Sequence, residues 1–164
     1  MSEGIGQADA GAMLDELEQQ ELDLRFTRFD NDVAWALGVR LVEAARAQGL
    51  PLVVCVRRGS QRLFHAALPG TAPDNDVWLD RKCRVVERFG RSSYRVGAEC
   101  SARGRSFEDT YRVDPAEYAA HGGAFPVTVR GVGVVGVVAV SGLPQAQDHA
   151  FVVEVLRAFL PAGD

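Results

Sequence analysis

Between Val127 and Ser141 the chain is mostly valine and glycine, and that pattern leaves few structures open to it. Val127-Thr128-Val129-Arg130 and Val134 to Ser141 are β-branched runs suited to a pleated, half-buried surface, and Gly131-Val132-Gly133 supplies the turn between them. The segment is expected as an antiparallel hairpin at the centre of a sheet. Just before it, His121-Gly122-Gly123 introduces a glycine pair, which can adopt backbone angles closed to other residues and turn N–H groups toward a ligand or a partner chain. Gly131, Gly133 and Gly136 also spell the spacing G-x-G-x-x-G of a dinucleotide-binding loop. That loop works only where a strand gives way to a helix near the third glycine, so that the helix N-terminus receives the pyrophosphate. Here more strand follows Gly136, and the hairpin reading excludes a nucleotide site.

The other elements follow from periodicity and punctuation. Residues 1–11 are small and polar and are expected as a flexible tail, with 12–160 forming a single domain. Met13, Leu14 and Leu17 lie at helical spacing within Ala12 to Glu21, whereas Leu22, Leu24 and Phe26 alternate with polar residues and predict a first strand from Leu22 to Phe29. Asp30-Asn31-Asp32 supplies a helix cap, and the apolar stripe Val33, Leu37, Leu41, Ala45 continues to Gly49 and Pro51. Leu52 to Val56 and Gln61 to Ala67 flank a Gly59-Ser60 turn and predict a second hairpin. Helices are expected from Asp74-Asn75-Asp76 to Arg88, from Ser92 or Ser93 through Ala102, from Ala116 to Ala120 behind Asp114-Pro115, and from Gln145 to Leu160. The predicted order β-α-β-β-α-α-β-β-α is an α/β (α+β) chain whose five strands form an antiparallel sheet with helices on its faces.

Composition narrows the chemistry. A formal charge of −4 gives no basic footprint for nucleic acid, and no stretch reaches the roughly 18 apolar residues of a membrane span. Cys55, Cys83 and Cys100 are odd in number, without metal-ligand spacing, and read as buried thiols in a reducing cytoplasm. The Asp-Asn-Asp segments lack the glycine and distal glutamate of a calcium loop and read as helix caps. No G-x-S-x-G elbow supports hydrolysis. Of the three histidines, His65 falls on a strand, His149 in the first turn of the last helix, and His121 in a loop open to ligand contact. Such a histidine can ligate a metal or haem iron through one ring nitrogen, or hydrogen-bond its own loop. The densest basic region, Arg81-Lys82, Arg84, Arg88, Arg91 and Arg95, offers arginine forks for carboxylates or for intersubunit salt bridges.

Gly122-Gly123-Ala124-Phe125-Pro126-Val127, Gly131, Val135-Gly136, Val140-Ser141-Gly142 and Asp148 resemble the C-terminal signature of the haem-degrading domain family. Arg28-Phe29-Asp30-Asn31-Asp32, Phe64 to Gly70, Pro73 to Asp76 and Arg88 to Tyr94 are similar to its cytoplasmic, UPF0303-like branch, so the resemblance covers about residues 12 to 160. It implies a profilin-like α/β/α sandwich and a symmetric homo-oligomer. It also implies haem as a cofactor, with His121 as iron ligand, the Gly122-Gly123 backbone lining the pocket, and Arg91 or Lys82 near the propionates. The alternative reading is an oligomeric binding or assembly module without catalysis. Neither reading assigns a catalytic residue.

Overall fold

The computed structural model describes residues 3–161, which run α1 (Glu3–Asp23), α2 (Asn31–Ala47), β1 (Val53–Arg58), β2 (Gln61–Ala67), α3 (Pro73–Phe89), α4 (Ser93–Ala102), α5 (Phe107–Tyr111), β3 (Ala124–Val129), β4 (Gly133–Ser141) and α6 (Gln145–Phe159). The valine-glycine stretch forms the expected hairpin, but only β4 lies inside the sheet while β3 is an outer strand, and β4 continues through Gly136 as strand. The sheet is antiparallel throughout, in the order β2-β1-β4-β3. Alternation along its strands separates two cores. Val54, Val56, Val138, Val140, Phe125 and Val127 meet α2 and α6 on one face, while Val53, Cys55, Val137 and Ala139 meet Leu79, Cys83 and Val86 of α3 on the other. The result is an α/β/α sandwich, and each such valine or leucine contributes on the order of 2 kcal/mol by leaving water.

The sheet has four strands rather than five. Leu22 to Phe29 is not a strand, because α1 continues through Asp23: Leu17, Gln20 and Leu24 bury at helical spacing, and the Leu24 N–H donates to the Gln20 carbonyl. Among these residues only Phe26 pairs with the sheet, in a single parallel bridge to Val129 with its N–H on the Thr128 carbonyl. Of the segment expected as a tail, residues 1 and 2 lie outside the described residues and the rest opens α1. Ala116 to Ala120 is a turn rather than a helix. Glu117 and Tyr118 donate to the Asp114 carbonyl, but Ala119 donates to Arg81 on α3, which diverts the chain before a second helical turn forms. The short helix lies earlier, at α5, where the Ser106 hydroxyl accepts from the Asp109 N–H.

Caps fix the helix ends that surround the site. Asp30 caps α2 through the Val33 N–H, and Ser92 caps α4 through the Arg95 N–H. The second Asp-Asn-Asp works differently from the first: α3 begins at Pro73 behind Ala72, and Asn75 reaches back to the Ala72 N–H. Among the described residues no helix is long and apolar enough to cross a membrane.

Candidate functional site

Lys82 is the residue around which the site is assembled. It sits on the buried stripe of α3 with Leu79, Cys83 and Val86, where a lysine survives only if its ammonium is fully partnered. Nζ donates to the Gly122 carbonyl (3.1 Å), the Val140 carbonyl (2.7 Å) and Asp148 Oδ2 (3.1 Å), which uses all three N–H groups. Asp148, in the first turn of α6, also accepts from the Leu143 N–H at 3.0 Å and the Gly142 N–H at 3.4 Å. Both side chains are 3% exposed. Burial pushes Lys82 below the ordinary lysine range and Asp148 above the ordinary aspartate range, and each partner's charge draws the other back.

The Gly122-Gly123 pair serves this packing. Gly123 has φ +135°, and a Cβ there would run into Lys82 Nζ and the Val140 carbonyl. A Cβ on Gly122 would strike the Gln145 carbonyl, and the Gly122 N–H is already taken by Gln145 Oε1 at 3.1 Å. The glycine backbone therefore clamps the loop between α3 and α6, with its polar groups engaged inside the protein.

His121 projects from this clamped loop. Its ring lies against Trp78, with centroids 5.2 Å apart, and the Arg81 guanidinium covers the same indole at 4.3 Å. Burial, followed by the positive charges of Arg81 and Lys82, holds His121 below its ordinary pKa, with Glu108 opposing. The imidazole is thus neutral at pH 7, and one ring nitrogen keeps a lone pair for a metal or a donor. Among the described residues no three His, Cys, Asp or Glu side chains gather as a metal cluster, so His121 stands as a single nitrogen donor.

Two clefts meet at this ring. The smaller, about 290 Å³, is lined by Asp74, Trp78, Lys82, Gly122 and Ser141. The larger, about 460 Å³, lies among α1, α4 and α5 and is lined by Met13, Tyr94, Cys100, Arg105, Phe107 and Glu108. His121 and Gln145 belong to both. The larger cleft falls in the size range of ligand pockets and combines apolar walls with few charges.

Among the residues singled out in the sequence, His121, Gly122 and Lys82 line one cleft, and Gly123 sits directly behind them. Arg91 is elsewhere: it lines neither cleft, and its guanidinium pairs with Glu99 at 3.1 Å. His65 pairs with Asp76, and buried His149 donates to Gln20 Oε1 at 2.7 Å. Sequence reasoning missed Tyr94, Arg105, Phe107 and Glu108. A signal existed for the last two, since Ser106-Phe107-Glu108-Asp109 has the S-x-x-D form of a helix start. Lys82 also announced its burial by falling between Leu79, Cys83 and Val86 at helical spacing.

The model of the haem-degrading HbpS-like proteins matches residues 29–157. The chain belongs to this family. A UPF0303 protein of Streptomyces coelicolor is 61% identical over 145 residues, covering 88% of this chain and 92% of the relative. The crystal structure of Ybr137w protein matches at TM-score 0.83 and 32% identity, over 89% of this chain and 87% of that one. A PduOC:heme complex matches at TM-score 0.66 and 15% identity, over 82% of this chain and 96% of that one, a likeness of fold. The family segment contains every residue of the Lys82, Asp148 and His121 cluster, whereas α1 lies ahead of it.

Proposed function

We propose that this protein binds haem, or a related flat ligand bearing acid groups, in the larger cleft, with His121 as the nitrogen donor that would hold the iron. The observation that carries the reading is an imidazole held where two clefts meet, on a loop clamped by Lys82 and Gly122. Family membership and the fold shared with a PduOC:heme complex support the choice of ligand. The residues present fit it in kind: Tyr94 and Phe107 supply apolar walls, and Trp78 packs against the His121 ring. Haem held here through the His121 imidazole would supply redox and oxygen chemistry. Lys82, fully engaged with Gly122, Val140 and Asp148, serves as a positioning residue for the His121 loop rather than as a partner of the propionates. Three buried cysteines suit a reducing cytoplasm.

The reading as an oligomeric binding module has its own support in β2. Its outer edge carries no backbone partner among the described residues, and Trp35 beside it is 63% exposed. The two readings are compatible, since a homo-oligomer can carry one ligand cleft per copy.

Haem titration of the purified protein, followed by the Soret band, tests the ligand assignment. The wild type is expected to give a saturable band. His121→Ala should bind at least about tenfold more weakly, about 1.4 kcal/mol, with an altered spectrum. His65→Ala, which removes the ring paired with Asp76, should bind like the wild type. A folded His121→Ala protein with unchanged band and affinity rejects the assignment of His121 as iron ligand.

A further inference from the structure

We infer that Arg105 is the carboxylate-binding residue of the larger cleft, and that this cleft selects ligands carrying an acid group. The inference rests on the ligand reading above and adds the side chain that recognises the acid.

The argument begins with how the backbone holds Arg105. At the end of α4 the Gly104 N–H donates to the Ser101 carbonyl (3.0 Å) and the Arg105 N–H to the Cys100 carbonyl (3.1 Å), while Gly104 takes φ +68°. This is the paired bonding of a Schellman stop, which needs a left-handed residue where Gly104 stands. One residue later, Ser106 caps α5 through the Asp109 N–H at 3.1 Å, and the Thr110 hydroxyl donates to the Ser106 carbonyl at 2.7 Å. Arg105 therefore sits between two fixed helix ends, with little backbone freedom left to lose on binding.

The side chain is correspondingly uncommitted. Arg105 is exposed and lines the larger cleft, and among the described residues it makes no ion pair. Arg91 and Arg95 on the same stretch are instead bound to Glu99, and Arg103, which also makes no ion pair among the described residues, does not line the cleft. Lys82 cannot take the role, since its ammonium is enclosed by three oxygens of the protein. Glu108 lines the same cleft and acts on His121, so a ligand acid beside it would be repelled and is directed toward the guanidinium. A planar arginine fork on a fixed backbone suits bidentate capture of a carboxylate.

The test compares haem with haem dimethyl ester, in which both acids are masked, on wild type, Arg105→Gln and Arg105→Lys. The wild type should bind haem about tenfold tighter than the ester. Arg105→Gln should lose that preference while keeping the ester affinity and the His121-dependent spectrum, and Arg105→Lys should restore part of it. Circular dichroism checks that the variants, altered at an exposed position, remain folded. Equal affinities of the wild type for haem and ester, or a preference that survives in Arg105→Gln, overturn the assignment to Arg105 and leave the ligand reading standing. A wild type without a saturable Soret change overturns both.

Discussion

The Lys82–Asp148 pair joins positions 66 residues apart, both side chains being buried, and its value depends on both members being present. Lys82→Met leaves the Asp148 carboxylate buried without its cation, a kind of change that costs about 3–5 kcal/mol. Urea unfolding should show that loss, and the double variant Lys82→Met, Asp148→Leu should recover most of it, because two apolar side chains need no charge partner there. A double variant as unstable as the single one would mean that the bonds from Lys82 to Gly122 and Val140, rather than the charge pair, hold the site. Sequence made the loop histidine legible, since a ring beside two glycines has few other settings. It could not reveal what Lys82 does, because its three acceptors come from the Gly-Gly loop, β4 and α6 and are distant in the chain. The same limit applies to Arg105. Its fixed backbone follows from Gly104 and Ser106, both visible as local punctuation, but its place in a cleft with Tyr94 and His121 depends on how α4, α5 and the loop before β3 pack.

At the scale of elements, α1 covers the larger cleft through Met13 and is fastened by polar contacts near its C-terminal end. Arg95 of α4 pairs with Glu21 at 3.3 Å and reaches Glu18 at 3.8 Å, while His149 of α6 donates to Gln20. Burial lowers His149 to a pKa of about 4 from 6.5, so the folded chain refuses a proton that the unfolded chain accepts. Its contribution is present above pH 6.5 and is lost as pH falls toward about 4, a change of about 3 kcal/mol at 1.36 kcal/mol per pH unit. Glu21 works in the opposite sense. Burial raises it to about 6 from 4.5, against the pull of Arg95, so folding gains as pH falls between those values. Because Glu21 is present in both proteins, comparing wild type with His149→Gln isolates the histidine. The wild type should lose about 3 kcal/mol more than the variant between pH 7 and pH 4 in urea unfolding. Parallel pH profiles would mean that His149 is reached by water in the folded chain. The helix itself was only partly legible, because the alternation of Leu22, Leu24 and Phe26 fits a strand, whereas burial of Leu17, Gln20 and Leu24 settles it as helix.

For the whole molecule, the β2-β1-β4-β3 order explains why two hairpins could be read locally and why their neighbours could not. Each hairpin is written in its turn, but the joining of β1 to β4 spans about half of the chain and depends on alternating faces that both find helices to cover them. The two outer strands end differently. β3 is closed off by Phe26 and by Ser93, whose hydroxyl bonds both the N–H and the carbonyl of Ala124. β2 has no such cover among the described residues, and Trp35, stacked edge-on against Phe64 at 5.4 Å, extends an apolar surface beside it. An uncovered edge flanked by an exposed indole is a surface that a second copy can bury, continuing the sheet across a two-fold axis. Sedimentation velocity at micromolar concentration should therefore give a mass that is a multiple of 17.7 kDa, and Trp35→Glu should shift it toward the single chain. The indole projects into solvent rather than into either core, so the variant should keep its fold and differ only in assembly. A wild type that sediments as a single chain would rule out the homo-oligomer, and an assembly untouched by Trp35→Glu would move the interface away from β2.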